Sequence, residues 1–536
     1  MIPLDNLDSI RSTDLGLLLA AGSALSSEKD IDSLMERIIT TAMALTHADG
    51  GTLYRVSEDG HLAFSILCNQ SLNIHMGGKS GAPVSIPPLP LYKDGIPDHS
   101  SVVCHAIHTA QTVNIADAYA ADQFDFSGTR ATDARLGYRS QSFLTVPLKN
   151  HETEIIGVLQ LINAQDPVTG DIIPFKPTAT RIVEALASQA AVSLTNRLLI
   201  NQLAVLFESF IGLINHAIDD KSPYTSGHCG RVPELTMMMA DAVNRCDIGP
   251  LRHFTMTEAD RYELKIAGLL HDCGKITTPI HVVDKGTKLE TLFDRIQLID
   301  LREAIVARDL EIAHLKGKLD AKALALALDQ LRDDCQFLRT SNKGTEFMAP
   351  EAAQRVLDVA QKYHWQDHHG ETLSFLSDDE IHNLTISSGT LTAEERKIIN
   401  RHIDVPIAML EKLPWPNHLK NVVEYAGGHH ERMDGKGYPK GLTRDQMSVQ
   451  ARCMAIADVF EALTARDRPY KAGKTLSESL TNIVRMNLDQ HLDPDLFDIF
   501  IWDRVYEEYA RKFLNPEQID KVDVSKIPGY TPPSNH

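Results

Sequence analysis

His271 and Asp272 stand side by side in the run IAGLLHDCGKI, where an apolar helix gives way to glycine. Adjacent helical side chains point about 100° apart, so an imidazole and a carboxylate in sequence reach one cation only at a helix end. Together they suit borderline-to-hard divalent metals such as Fe, Mn or Zn. Alone, such a pair is commonly structural. Its company gives it weight: His228, His402, the tandem His429-His430 and Asp458 each interrupt an apolar helical segment. Burying so many ionisable groups is costly unless they pair or bind metal. Two cationic loops accompany them. HHERMDGKGYPKGL at 429–442 sets Arg432, Lys436 and Lys440 on a Gly- and Pro-rich frame that lets backbone approach a ligand closely. TARDRPYKAG at 464–473 places Arg466, Arg468 and Lys471 around Tyr470, just after Asp458. Such cations meet phosphate. Another cluster, His364, His368 and His369, lies in a polar segment with Asp367 and reads as solvated surface. Cys229 and Cys273 adjoin candidate ligands and read as packing residues.

The elements that must position these residues fall into three blocks. Residues 14–46 carry apolar residues at helical spacing, and short β-like runs follow at 51–56, 61–67, 143–150 and 154–163. This predicts a mixed domain with a mostly antiparallel sheet, with the Pro-rich 83–98 and Asp-rich 117–134 loops covering one face. From 179 to 220 the pattern is one long helix, about 60 Å if continuous. Its apolar stripe, Ile182, Leu186, Ala190, Leu194 and Leu198, predicts pairing with a second copy. From 221 to 536 the pattern is helical, with capping-type starts at Thr257…Asp260 and Thr392…Glu395. Residues 296–390 differ in texture and predict an insertion carrying a helical hairpin and then a polar linker.

The 536 residues, 43% apolar and 23% charged, are globular material long enough for several cores. A net charge of −19 argues against long nucleic acid and against a polybasic membrane anchor. Seven scattered cysteines without a CxxC pair predict a reducing, cytoplasmic setting. The start lacks a basic leader, and no stretch approaches a membrane span, the nearest being Leu203–Ile214 broken by Glu208 and Ser209.

HDCGK at 271–275, HHE at 429–431, GYP at 437–439 and the run from Asp458 to Tyr470 resemble the HD-GYP family of cyclic dinucleotide phosphodiesterases. The resemblance covers about 221–520 and implies an all-α HD-type phosphohydrolase domain. It implies metal ligands at His228, His271, Asp272, His402, His429, His430 and Asp458, with Asp272 bridging. It implies catalytic roles for Asp272 and Lys275, and substrate contacts at Lys275, Arg432, Gly437, Tyr438, Arg468 and Lys471. Members with three metals carry Glu where this chain has Tyr224, so two metals are expected, Fe or Mn first, with Zn and Ni as others. Pro233 inside the His228 helix predicts a kink or restart there. The N-terminal block, through RLGYRSQSFLTVPLKN and GVLQLIN, resembles a GAF domain. Asn163 and Phe175 echo its cyclic-nucleotide-binding members, but Ala164 replaces the expected Lys, leaving the GAF ligand an unknown small molecule. The expected architecture is therefore α+β and multidomain: a GAF sensory domain at 1–178, a linker and dimerisation helix at 179–220, and a metal phosphodiesterase domain at 221–536. The expected reaction is hydrolysis of cyclic di-GMP. 3′,3′-cyclic GMP-AMP as substrate and a non-catalytic receptor are the alternatives.

Overall fold

Asp30 fixes the start of α1 (Ile31–Thr46): its carboxylate accepts from Ser33 N at 2.9 Å. The computed structural model describes residues 20, 22–25, 27–28, 30–57, 59–80, 82–222, 227–344, 347–466 and 473–532. The helix expected over 14–46 is interrupted at Asp30, which is extended: residues 20, 22–25 and 27 are helical before it and Ile31–Thr46 after it, while residues 1–19 lie outside the described ones. Strands β1 (Ala48–Val56), β2 (His61–Asn69), β3 (Ile74–Gly77), β4 (Val113–Ile115), β5 (Phe143–Lys149) and β6 (Ile155–Gln165) form an antiparallel sheet in the order β3-β2-β1-β6-β5-β4. Two-residue strands at Leu89–Pro90 and Ile172–Ile173 join β2 and β6. Helix α2 (Val102–Thr109) lies between the two expected loops, where no element was predicted, and helix α3 (Ser127–Leu136) stands in the second half of the segment expected as an Asp-rich loop.

One sheet face packs on α1 and the start of α4 (Pro177–Lys221), through Leu34, Ile38, Leu161, Leu186 and Ala190. The other is covered by Leu91, Val103, Ala118 and Phe126. Asn163, at φ 55°, latches the entry to β5: its Nδ2 donates to Arg139 O at 2.8 Å, and its Oδ1 accepts from Gln141 N at 2.7 Å. Its side chain serves the fold in this arrangement.

By contact the chain divides into two units, Met1–Leu206 and Phe207–His536, with α4 running through the division. The stripe expected to pair with a second copy is used internally: Leu186, Ala190 and Leu194 are buried in the first unit's core, with Ile182 alongside and Leu198 packed against it. α4 also contains an 18-residue window of mean hydropathy 1.6, which revises the expectation that no stretch approaches a span by length and composition.

The second unit is helical. α5 (His228–Arg245), α6 (Glu258–Leu270), α7 (Ile296–Leu315), α8 (Ala321–Asn342), α9 (Pro350–Lys362), α10 (Asp378–Leu384) and α11 (Ala393–Leu410) come first. α12 (Val422–Gly427), α13 (Val449–Thr464), α14 (Leu476–Leu488), α15 (Pro494–Trp502) and α16 (Val505–Phe513) complete it. Its main core joins α5, α6, α13 and α15, through Val232, Leu264, Ile456 and Phe500 among others. Residues 289–384 hold a separate core, including Ile299, Leu331, Leu338, Val356 and Phe375. There α7 and α8 form the expected hairpin. The expected polar linker instead contains α9, α10 and a hairpin of β7 (His364–Gln366) and β8 (Thr372–Ser374). His364, His368 and His369 are exposed on it. α5 runs unbroken through Pro233, so the predicted restart does not occur. Gly268 of α6 makes room: a Cβ there would stand 3.2 Å from Pro233 Cα.

Candidate metal centre

α6 starts with a reciprocal cap, Thr257 N donating to Asp260 Oδ2 at 2.8 Å, and ends at Leu270. His271 and Asp272 follow where the helix tightens into a 3-10 turn, Cys273–Thr277. There the two side chains converge, with His271 Nε2 3.3 Å from Asp272 Oδ2. Gly274 lets the turn touch α11: its Cβ would lie 2.2 Å from His402 O and 2.4 Å from Pro406 Cδ. Pro406 has no N–H to return to His402 O, so that carbonyl is free to face the turn. The contact brings His402 Nε2 to 3.6 Å from Asp272 Oδ1. Gly427 and Gly428 end α12 against Ile407 and Ala451, a Cβ standing 2.8 and 2.9 Å from them. They deliver His430 Nε2 to 3.3 Å from His402 Nε2. α13 contributes Asp458, whose Oδ1 is 3.2 Å from His228 Nε2, and His228 Nε2 is 3.0 Å from Asp272 Oδ2.

Two constellations result, one on each carboxylate oxygen of Asp272. The ligating atoms of His228, His271 and Asp272 all lie within 4.8 Å of one another, as do those of His402, His429 and His430. Every ligand the resemblance implied is present and buried or half-buried. The δ nitrogens are tied down. Those of His271 and His429 donate to the carbonyls of Gly268 and Ala426 at 2.7 and 2.6 Å, and His402 Nδ1 donates to Ile399 O. His228 Nδ1 meets Glu461 Oε2 at 2.5 Å. A carbonyl can only accept, so these bonds fix the tautomer and turn each Nε2 lone pair inward. The Nε2 atoms of His228, His271 and His429 make no hydrogen bond, although carboxylate oxygens stand close to the first two. Buried nitrogens aimed at a shared point instead of at a partner are what a cation site requires. The residues therefore fit divalent metal.

The electrostatics agree. Burial pushes His429 well down, helped by His430 and His271, and pushes His430 to about 4. Burial also lowers His402. Burial acts to raise Asp272, but Lys275 and His271 outweigh it and hold the carboxyl well below its usual range. Asp458 is held low in the same way by His228. Neutral imidazoles and ionised carboxylates are the forms that ligate. His228 differs: burial opposes its charge, but Glu461 holds it well above the ordinary histidine range.

Lys275 Nζ donates to Asp272 Oδ2 at 2.6 Å. In the 429–442 loop, Tyr438 stacks on His430, centroids 4.9 Å apart and 16° from parallel, and its bond to Pro439 is cis. Gly437 is required, because a Cβ would meet Arg432 N and Glu431 Cα at 2.4 Å. Arg432 is engaged by Asp434 at 3.1 Å and by Asp489 at 3.0 Å. Arg468, Lys471 and Tyr224 lie outside the described residues.

Two residues without a role in the sequence reading take part. Buried Glu461, one turn after Asp458, holds His228 and also Arg231 Nε at 2.8 Å. Its three-residue spacing from Asp458 was the available signal. Lys221, the last residue of α4, donates to the carbonyls of Lys275, Ile276 and Thr278 at 3.2, 2.5 and 2.6 Å. Nothing in its type or spacing marked it.

Comparison with known families matches residues 30–194 to the GAF domain and residues 225–339 and 353–496 to HD domains. The chain is similar to a cyclic di-GMP phosphodiesterase of Pseudomonas aeruginosa, 39% identical over 113 residues, 21% of this chain and 26% of that protein. It is similar to 3'3'-cGAMP-specific phosphodiesterase 3 of Vibrio cholerae, 36% identical over 290 residues, 54% of this chain and 37% of that protein. A cyclic di-GMP phosphodiesterase of Thermotoga maritima is 33% identical over 118 residues, 22% of this chain and 31% of that protein. The chain thus spans between about a quarter and two-fifths of the length of these curated relatives.

Proposed function

We propose that this chain, a GAF domain followed by an HD domain of the HD-GYP kind, hydrolyses a 3′–5′ phosphodiester of cyclic di-GMP to the linear dinucleotide, and onward to GMP, under control of its GAF domain. The observation that carries the reading is the Asp272 carboxylate, with one oxygen toward His228 and His271 and the other toward His402. Two divalent cations, Fe or Mn by preference, would be held by His228, His271, Asp272 and Asp458 and by Asp272, His402, His429 and His430. When bound, such a pair makes water nucleophilic at neutral pH and polarises phosphoryl oxygens.

The chain's own groups do the rest. Lys275 holds Asp272 and presents a cation on which phosphoryl charge can settle. Glu461 fixes the orientation of His228. Tyr438 gives the site an aromatic wall beside His430, kept there by Gly437 and by Glu431, which accepts from Lys440 N at 2.7 Å and Leu442 N at 2.9 Å. Arg432, bound to Asp434 and Asp489, steadies this loop. Arg468 and Lys471 complete the proposal as contacts to the remaining phosphate or guanine. The GAF domain would take a small ligand, and the setting would be cytoplasmic.

The length of the match to the Vibrio cholerae relative, 290 residues, favours 3′,3′-cyclic GMP-AMP as a second reading. Anaerobically purified protein, assayed for metal content and for turnover of both dinucleotides, separates the two. Linear product from cyclic di-GMP is expected. Product from the mixed dinucleotide alone moves the reaction to the second reading, and tight binding without product makes the protein a receptor. His271→Ala and Asp272→Ala should each abolish turnover; retained activity removes that residue from the mechanism.

A further inference from the structure

Two lysines are buried where the chain enters the 289–384 insertion, Lys285 and Lys288. A buried ammonium is costly unless its protons are met, and both find partners where the chain leaves the insertion. Lys288 Nζ donates to the carbonyls of Leu384 and Ile386 at 3.0 and 2.8 Å. Lys285 Nζ donates to Asn383 Oδ1 of α10 at 2.9 Å, and to both carboxylate oxygens of Glu395 at 2.8 and 2.7 Å. Thr390 Oγ1 donates to Lys285 O at 2.9 Å. Glu395 stands in the first turn of α11, where it also accepts from Thr392 N at 2.8 Å and so caps the helix. The foot of the insertion therefore holds the start of the helix that carries His402.

His402 follows Glu395 by about two turns, which puts the two on one face of α11, about 10.5 Å apart along its axis. That face meets one continuous stretch of chain. Gly274 stands against His402 O, the short helix Ile280–Val283 packs on α11, and Lys285 closes on Glu395. The Gly274 contact alone is a pivot and leaves the tilt of α11 open; the Lys285–Glu395 pair is the second point that fixes it. A shift of about 1.5 Å at Glu395 tilts the helix by about 8° about that pivot, and an imidazole about 5–6 Å off the axis then moves by about 0.8 Å. We propose that Lys285 and Glu395 are positioning residues: they set the angle of α11 and with it the place of His402, and through Asn383 they couple that place to the insertion. The proposal rests on the reading of His402 as a metal ligand, and it gives the insertion a part in controlling that site.

Magnetic resonance of the full chain, stripped of metal and carrying isotope-labelled histidine, tests this, together with titration of the same chain with Mn. Lys285→Met combined with Glu395→Gln removes both charges, so that neither is left buried alone, and glutamine keeps the cap. In this double variant the ring resonances of His402 should shift while those of His228 and His271 hold. One of the two Mn affinities should fall by about 10–100-fold while the other holds. Asn383→Leu leaves the pair in place and cuts the insertion's bond to it. It should move the same His402 resonances by a smaller amount, and it keeps the question decidable if the double variant does not fold. Unchanged His402 resonances in the double variant overturn the proposal. So does an equal shift at His228 and His271, the mark of a general loosening. An Asn383→Leu spectrum identical to that of the parent overturns the insertion's part. A parent chain that takes up no Mn strikes the metal reading instead, and the ring resonances still decide what positions His402.

Discussion

Gly274→Ala adds one methyl group at the point where the HDCGK turn meets α11, and the structure sets its consequence. The new Cβ would lie 2.2 Å from His402 O and 2.4 Å from Pro406 Cδ. Both are held by helix backbone or a proline ring, so the turn and α11 must separate by about 1 Å to reach ordinary contact. Overpacking of this kind costs about 1–3 kcal/mol, or a fall of roughly 1.5–4 °C in the melting of the second unit. The larger effect falls on His402, whose Nε2 is 3.6 Å from Asp272 Oδ1 and 3.3 Å from His430 Nε2. A displacement of 1 Å at reacting groups costs on the order of 100-fold. We expect kcat to fall by about that factor and bound metal to drop from the proposed two per chain toward one, with the His402 constellation emptied first. The assays are metal analysis, turnover and thermal melting, with Gly212→Ala as control. Gly212 has nothing within 4 Å of its would-be Cβ and should gain about 0.5–1 kcal/mol as a helix residue. If Gly274→Ala keeps full turnover and two metals per chain, the contact between this turn and α11 does not position His402.

Glu461→Gln removes the anion that orients His228 while keeping its shape, and should weaken metal affinity by about 10–100-fold with the melting temperature little changed; competition with a fluorescent chelator reads this. Chelation should lower the melting temperature, because a cation at 100 times its dissociation constant adds about 2.7 kcal/mol to the folded state, and Mn should restore it where Mg does not. Lys221→Met removes donors from the carbonyls of Lys275, Ile276 and Thr278. Amides of 275–278 should exchange at least about tenfold faster while those of α6 do not change, and Lys221→Arg should recover part of the protection. Lys288 is buried beneath the carbonyls of Leu384 and Ile386, and burial pulls its ammonium down to about 8. The unfolded chain then binds more protons between pH 8 and 10, so stability should rise with pH across that window. The Lys288→Met chain should lack this part of the slope in denaturant titrations at pH 7.5 and 9.5.

The cluster proposed to hold metal was legible because each of its residues is an ionisable group set in an apolar helical run, and burying so many of them together is costly unless they pair or ligate. The GAF sheet was legible through its alternating strands. What the sequence concealed follows from what periodicity measures. Ile182, Leu186, Ala190 and Leu194 do mark an apolar face, but a face does not name its partner, and here the domain's own sheet takes it. Pro233 predicted a break because the glycine opposite, Gly268, lies 35 positions away and cannot be matched to it before the fold is known. Strands of three residues, as in β7 and β8, are too short to show a period. Glu461 was visible as an acid on the Asp458 helix, yet its pairing with His228 spans 233 positions.

These pieces suggest how a regulatory signal would reach the metal site. α4 begins against the GAF sheet at Val183 and Leu186 and ends at Lys221 without a break. Lys221 does not stop near the site: it grips three carbonyls of the segment that carries Lys275. Ser222, next in the chain, donates to Asp284 further along the same segment. One layer of hydrogen bonds therefore joins the end of the helix to the segment that follows Asp272. Each such bond contributes about 0.5–1.5 kcal/mol, so exchanging two of them spans the 1–3 kcal/mol typical of coupling between sites. A rotation or shift at the end of α4 would act on the carbonyls of Lys275, Ile276 and Thr278, beside the pair of Lys275 with Asp272. Inserting four residues after Gln202, which rotates the following helix by about 40°, should then change kcat with metal content and folding preserved. Insertion of seven, which rotates it by only about 20°, should leave kcat nearer that of the parent.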